Sequence, residues 1–128
     1  MSRPVLTESH IHPAIRSKVA HLHQDIVQEV QNAIESHSVV VVGMAQNPQP
    51  RKARKLLKNA GIDHFYLEYG SYFNQWRRRN ALKMWTGWPT FPMVFVNGVL
   101  IGGASDLEEL MLNGQLHVLM SAAKVHLD

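Results

Sequence analysis

A chain of 128 residues, 45% hydrophobic and 18% charged, is long enough for one domain with a real core and too apolar to be disordered. Its formal net charge of +3 is compatible with anionic ligands without requiring one. It contains no cysteine, which excludes disulfides, thiolate metal sites and a cysteine nucleophile. Residues 1–13 lack the apolar stretch of a secretory signal, and the longest aliphatic run, residues 39–42, is far too short to cross a bilayer. The expectation is a soluble protein of the cytoplasm with no membrane partner.

Residues 1–12 read as an irregular lead-in. From Pro13, Ile15, Val19, Leu22, Ile26, Val30 and Ile34 recur at steps of three and four, which predicts one helix ending near Ser36 and His37. Pro13 suits its first position, where a missing N–H costs nothing. Val39-Val40-Val41-Val42 is a β-branched run of the kind found in strands buried on both faces. Residues 43–49 read as a loop, because Pro48 and Pro50 interrupt any ladder or helix. Pro50 then opens a helix to Ala60, with Ala53, Leu56, Leu57 and Ala60 as its apolar stripe and Gly61 just past its end.

Residues 64–69 alternate enough for a second strand, which Gly70-Ser71 breaks. Residues 72–85 read as a helix and 86–92 as a loop. Residues 93–96 and 99–101 flank Asn97-Gly98, a pair that favours the positive φ angles of a tight hairpin turn. Gly102-Gly103 closes the hairpin. A helix over 106–113, starting at Ala104 or Ser105, ends at Gly114, and a last helix covers 116–125. The order α-β-α-β-α-β-β-α-α predicts an α/β fold: a four-stranded mixed sheet with helices on both faces.

Three segments in order carry a family resemblance. Val39-Val40-Val41-Val42-Gly43-Met44-Ala45-Gln46-Asn47-Pro48-Gln49-Pro50 aligns without a gap on a glutaredoxin strand and loop ending in Cys-Pro-Tyr-Cys, or Cys-Gly-Phe-Ser in the monothiol branch. Trp88-Pro89-Thr90-Phe91-Pro92-Met93-Val94-Phe95 resembles the monothiol-type Trp-Pro-Thr-Ile-Pro-Gln-Val-Phe segment. Gly102-Gly103-Ala104-Ser105-Asp106 resembles the Gly-Gly-x-x-Asp turn that follows it. The resemblance spans about residues 24–119. It implies a thioredoxin-like fold for a domain over 24–128; residues 1–23 read as a partly helical N-terminal extension that could cover the sheet edge, mediate a homodimer or do little.

The resemblance also says what is missing. Asn47 and Pro50 occupy the two cysteine positions, so no catalytic residue for thiol–disulfide exchange is expected, nor the thiolate that holds an iron–sulfur cluster in monothiol members. Met44 stands where the family has a lysine. A glutathione groove is implied at Phe91, before the cis-proline candidate Pro92, and at Ser105 and Asp106, which begin a helix where an anion is received. Arg79 and Lys83 match further glutathione-contact positions. A purely structural role for Pro92 and the paired glycines is the alternative.

Other constellations read as solvated surface. The eight histidines include His10-x-His12 and His21-x-His23, but neither pair has a carboxylate at ligand spacing, and no metal site is expected. Arg51, Lys52, Arg54, Lys55 and Lys58, and Arg77-Arg78-Arg79 beside Trp76 and Tyr72, suit nucleic acid in composition. They read more simply as exposed helix faces. The functional expectation is a cysteine-less binding module whose old groove takes an unidentified partner protein or glutathione. The alternatives are a transferase-type enzyme, with Asn47 as donor to the sulfur of bound glutathione, and a basic nucleic-acid-binding module.

Overall fold

The computed structural model describes residues 3–127. The chain runs through α1 (Pro13–His21), α2 (Gln24–Ser36), β1 (Val39–Gly43), α3 (Pro48–Asn59), β2 (Phe65–Glu68), α4 (Trp76–Thr86), β3 (Met93–Val96), β4 (Val99–Gly102), α5 (Ala104–Leu112) and α6 (Gln115–Ser121), with a short 3-10 turn at Glu8–His10. The valine run forms β1, buried along its whole length. β1 pairs in parallel with β2 and antiparallel with β3, and β3 pairs with β4 in the hairpin, giving the sheet order β2-β1-β3-β4. Asn97 and Gly98 turn that hairpin with φ of 49° and 81°.

Side chains that alternate along β1 and β3 divide the interior in two. Val40, Val42, Met93 and Phe95 face α2 and α4, meeting Ile26, Val30, Ile34 and Leu82. Val39, Val41, Val94 and Val96 face α3, α5 and α6, meeting Ala53, Leu57, Leu107 and Leu116. Among the described residues, no helix is long and apolar enough to cross a membrane.

Several boundaries differ from the sequence expectation. The first helix is two helices: His23 adopts a left-handed φ of 47° and turns the chain. α1 therefore leaves the sheet and buries nothing, and Ile15, Val19 and Leu22 are exposed, whereas Ile26, Val30 and Ile34 of α2 are buried. α3 begins two residues early, at Pro48. α4 begins four residues late, because Gly70 and Gln75 are left-handed and Asn74 Oδ1 accepts from the Ser71 amide, making residues 70–75 a knotted turn. The last helix stops at Ser121.

Beyond α6 the chain returns as a strap. Asn97 Nδ2 donates to the carbonyls of Leu119, Met120 and Ala122, and the Val125 amide donates to Asn97 O. A Cβ on Gly98 would sit 1.8 Å from Val125 O, so the hairpin glycine is also needed for this close approach. Lys124 Nζ donates to Ile34 O, Glu35 O and His37 O at 2.8, 2.9 and 3.2 Å, a cation on the negative end of α2. Glu35 takes His126 Nδ1 and the Leu127 amide, both at 2.8 Å.

Those two contacts, the His126 hydrogen bond first, hold the Glu35 carboxyl below its ordinary 4.5. A lowered folded-state value gives stability that is complete above about pH 4.5 and lost as pH falls through the lowered value. Heteronuclear NOEs of residues 124–127 should therefore drop on acidification, and Glu35→Gln should show low NOEs at neutral pH.

Candidate functional site

One groove, about 480 Å³ in volume, gathers most of the positions singled out in the sequence. Its first wall is the start of α3. Asn47 is the N-cap: its Oδ1 accepts from Gln49 N at 2.9 Å, and its Nδ2 donates to Phe91 O at 3.4 Å. Pro48 and Pro50, the first and third helical residues, have no N–H to offer. Of the three amides that open a helix, α3 thus keeps only that of Gln49, and Asn47 already occupies it. The positive end of this helix has lost the donors with which it would hold an anion.

The second wall is the loop before β3, with Trp88, Pro89 and Thr90 leading to a cis Phe91-Pro92 bond. Phe91 is only 5% exposed, its side chain in the α2/α4 core. The third wall is the start of α5. Ser105 is exposed there, and Asp106 Oδ2 accepts from the Gly103 amide at 2.9 Å. Gly102 (φ 107°) allows this turn, since a Cβ there would come within 2.5 Å of that same oxygen. The amides of the first turn of α5 have no intrahelical acceptor and include no proline. Lys83 reaches over from α4, with Nζ 5.8 Å from the Phe91 ring centroid.

Two expectations on basic residues are corrected. Arg79 does not line the groove. It is 6% exposed, and its Nη1 donates to Tyr69 O at 2.9 Å and to Asn74 O at 2.6 Å, so it pins the 70–75 turn onto α4. Nor do Arg77 to Arg79 form a solvated turn: only Arg77 is freely exposed, and Arg78 pairs with Asp25 at 2.9 Å. The Met44 side chain is buried in the α2/α4 core, so it brings no charge to the groove it borders. Tyr72 lines the groove from the 70–75 turn, outside α4, and Trp88 to Thr90 line it as well.

A parallel βαβ unit, an antiparallel hairpin and a cis-proline loop facing a helix start define a protein of the thioredoxin-like class. A family model described as Glutaredoxin matches residues 39–101. A glutaredoxin-like protein of Dictyostelium discoideum is 46% identical over 102 residues, covering 80% of this chain and 83% of that one. Probable monothiol glutaredoxin 2 of Rickettsia prowazekii is 30% identical over 96 residues, covering 71% and 87%. Among solved structures, wheat glutaredoxin superposes with a TM-score of 0.67 at 27% identity, over 80% of this chain and 99% of that one. A buckwheat glutaredoxin–glutathione complex matches in fold, with a TM-score of 0.67 at 24% identity over 77% and 90%. The chain belongs to the glutaredoxin family. With no cysteine in its sequence, it has no thiol of its own for thiol–disulfide exchange. The donor set does not fit a family iron–sulfur cluster either, since such clusters are held by thiolates.

The capped α3 start yields a test. Asn47→Cys should give a thiol within about one unit of the free-cysteine value of about 8.5. Asn47→Cys combined with Pro50→Ala, which restores one amide, should lower it by about one further unit. The pH dependence of alkylation by iodoacetamide measures both. Separately, Arg79→Leu strands two carbonyls at the 70–75 turn and should cost about 2–3 kcal/mol in urea denaturation.

Proposed function

We propose that this protein is a non-redox binding module, using the groove between Asn47, the cis Phe91-Pro92 bond and the start of α5 to hold glutathione or an extended segment of a partner protein. The observation that carries the reading is the contrast between the two helix starts that meet there. At α3 the amides are removed by proline or taken by Asn47, whereas at α5 residues 104–106 line the groove and no proline interrupts the first turn. The groove offers no thiol, and the start of α5 supports its use as an anion-receiving wall. Lys83 adds one cation beside Phe91, and a buckwheat relative of the same fold is solved as a glutathione complex.

The family's glutathione positions contribute unequally to this proposal. Phe91, Pro92, Ser105, Asp106 and Lys83 belong to it; Arg79 does not. Asn47 is a poor donor for a bound sulfur, because its Nδ2 is turned to Phe91 O and its Oδ1 to Gln49 N. That geometry weighs against a transferase-type activity.

Titration with reduced glutathione, followed by ¹⁵N-resolved NMR, tests the glutathione form. The expected result is saturable shifts at Phe91, Ser105 and Asp106 at millimolar ligand, weakened about fivefold by Lys83→Ala. No shift at these amides removes that form. Partner capture then compares wild type with Ser105→Arg, which fills the groove from an exposed position. Recovery of identical proteins by both baits removes the partner form.

A further inference from the structure

The outer face of α3 carries more positive charge than its helix favours. Pro50, Ala53 and Leu57 are buried against the sheet, which turns Arg51, Arg54, Lys55 and Lys58 outward on one flank. Lys52, on the other flank, reaches Glu108 at 3.9 Å. Among the described residues, no carboxylate pairs with the other four. Like charges three and four apart repel, and Arg51 lies near the positive end of the helix, whose first turn has no acidic residue. An anion seated among these side chains would offset all of these costs.

The surface there is concave. Arg51, Arg54, Lys55 and Lys58, with residues 61–64, enclose a hollow of about 490 Å³, as large as the groove at Asn47. Arg54 is already positioned: its guanidinium carbon lies 4.0 Å from the Tyr66 ring centroid, and its Nε lies 3.5 Å from His64 Nε2. Asp63 and His64 also line an adjoining hollow of about 250 Å³ that contains Phe65 stacked on His37, with ring centroids 4.2 Å apart and planes 3° from parallel. Phe65 is 38% exposed on the edge strand β2. Cations thus continue into an accessible aromatic pair.

We infer that these two hollows form a second binding site, for a nucleotide whose phosphates lie among Arg54, Lys55 and Lys58 and whose base stacks at His37 and Phe65. Phosphates take the cations, and every base has a π-face for the rings. An acidic peptide would use the cations and leave the stack idle. Asp63 lines both hollows; it disfavours a phosphate at their junction and accepts from a sugar hydroxyl there. The site lies along α3 toward its C-terminal end and shares none of the residues that line the groove at Asn47.

Titrations at about 150 mM salt, where exposed charges beyond about 8 Å are screened, use adenosine triphosphate, inorganic tripolyphosphate, a hexaglutamate peptide and a single-stranded octanucleotide. Adenosine triphosphate should shift the amides of Arg54, Lys58, His64 and Phe65 and leave those of Phe91 and Ser105 in place. Lys55→Ala with Lys58→Ala should weaken it about tenfold, and Lys52→Ala should leave it unchanged. Phe65→Leu should abolish the preference for adenosine triphosphate over tripolyphosphate. All four positions are exposed, and unchanged melting of each variant shows that the fold is retained. Tighter binding of the octanucleotide at the same amides assigns the nucleotide to a strand; tighter binding of the triphosphate assigns it to a free ligand. Tripolyphosphate or hexaglutamate binding as tightly as the triphosphate, or no saturable binding at all, overturns the inference.

Discussion

The pairing of β1 with β3 is the contact on which the rest of the molecule depends. Val40 to Val42 are held between β2 on one side and β3 on the other, Val39 pairs with β3 alone, and both faces of the run are covered by helices. Burying such side chains contributes on the order of 1.5–3 kcal/mol each. The register also has a functional outcome. Because the strands are antiparallel with Val42 opposite Met93, the chain leaving β1 and the chain entering β3 lie side by side. That adjacency brings Asn47 to the carbonyl of Phe91, and so builds a groove from residues 44 positions apart.

Much of this was legible in the sequence because the signals are local. A β-branched tetrapeptide, an Asn-Gly pair between apolar runs and a Gly-Gly before a helix each dictate backbone geometry within a few residues. The break between α1 and α2 has no such signal. Ile15, Val19, Leu22, Ile26, Val30 and Ile34 keep helical spacing straight through His23, whose left-handed conformation only the structure reveals. Periodicity states that a face is apolar, not that anything covers it, and Ile15, Val19 and Leu22 are exposed. Arg79 misled for the converse reason. A basic residue at the end of a run of three reads as solvated, and the carbonyls that draw it inward belong to Tyr69 and Asn74, the former ten residues away.

The two ends of α3 show how one helix can divide its labour. Its start is neutral, capped by an amide side chain and closed by prolines, and it serves as a wall. Its outer flank gathers the unpaired cations, whose potential reaches about a Debye length into solvent. With no thiolate at position 47 the groove holds no buried anion of its own there, and Met44 beside it is uncharged and packed in the core.

The paired prolines also bear on reversibility. A single change that put a sulfur back at position 47 would delete the α3 cap and place the new thiol before a helix that offers it one amide. Stability would fall before any reactivity was regained. In this chain a lone Asn47→Cys therefore exchanges a helix cap for a weakly activated thiol, and Asn47-Pro48-Gln49-Pro50 makes any single step toward redox chemistry a costly one.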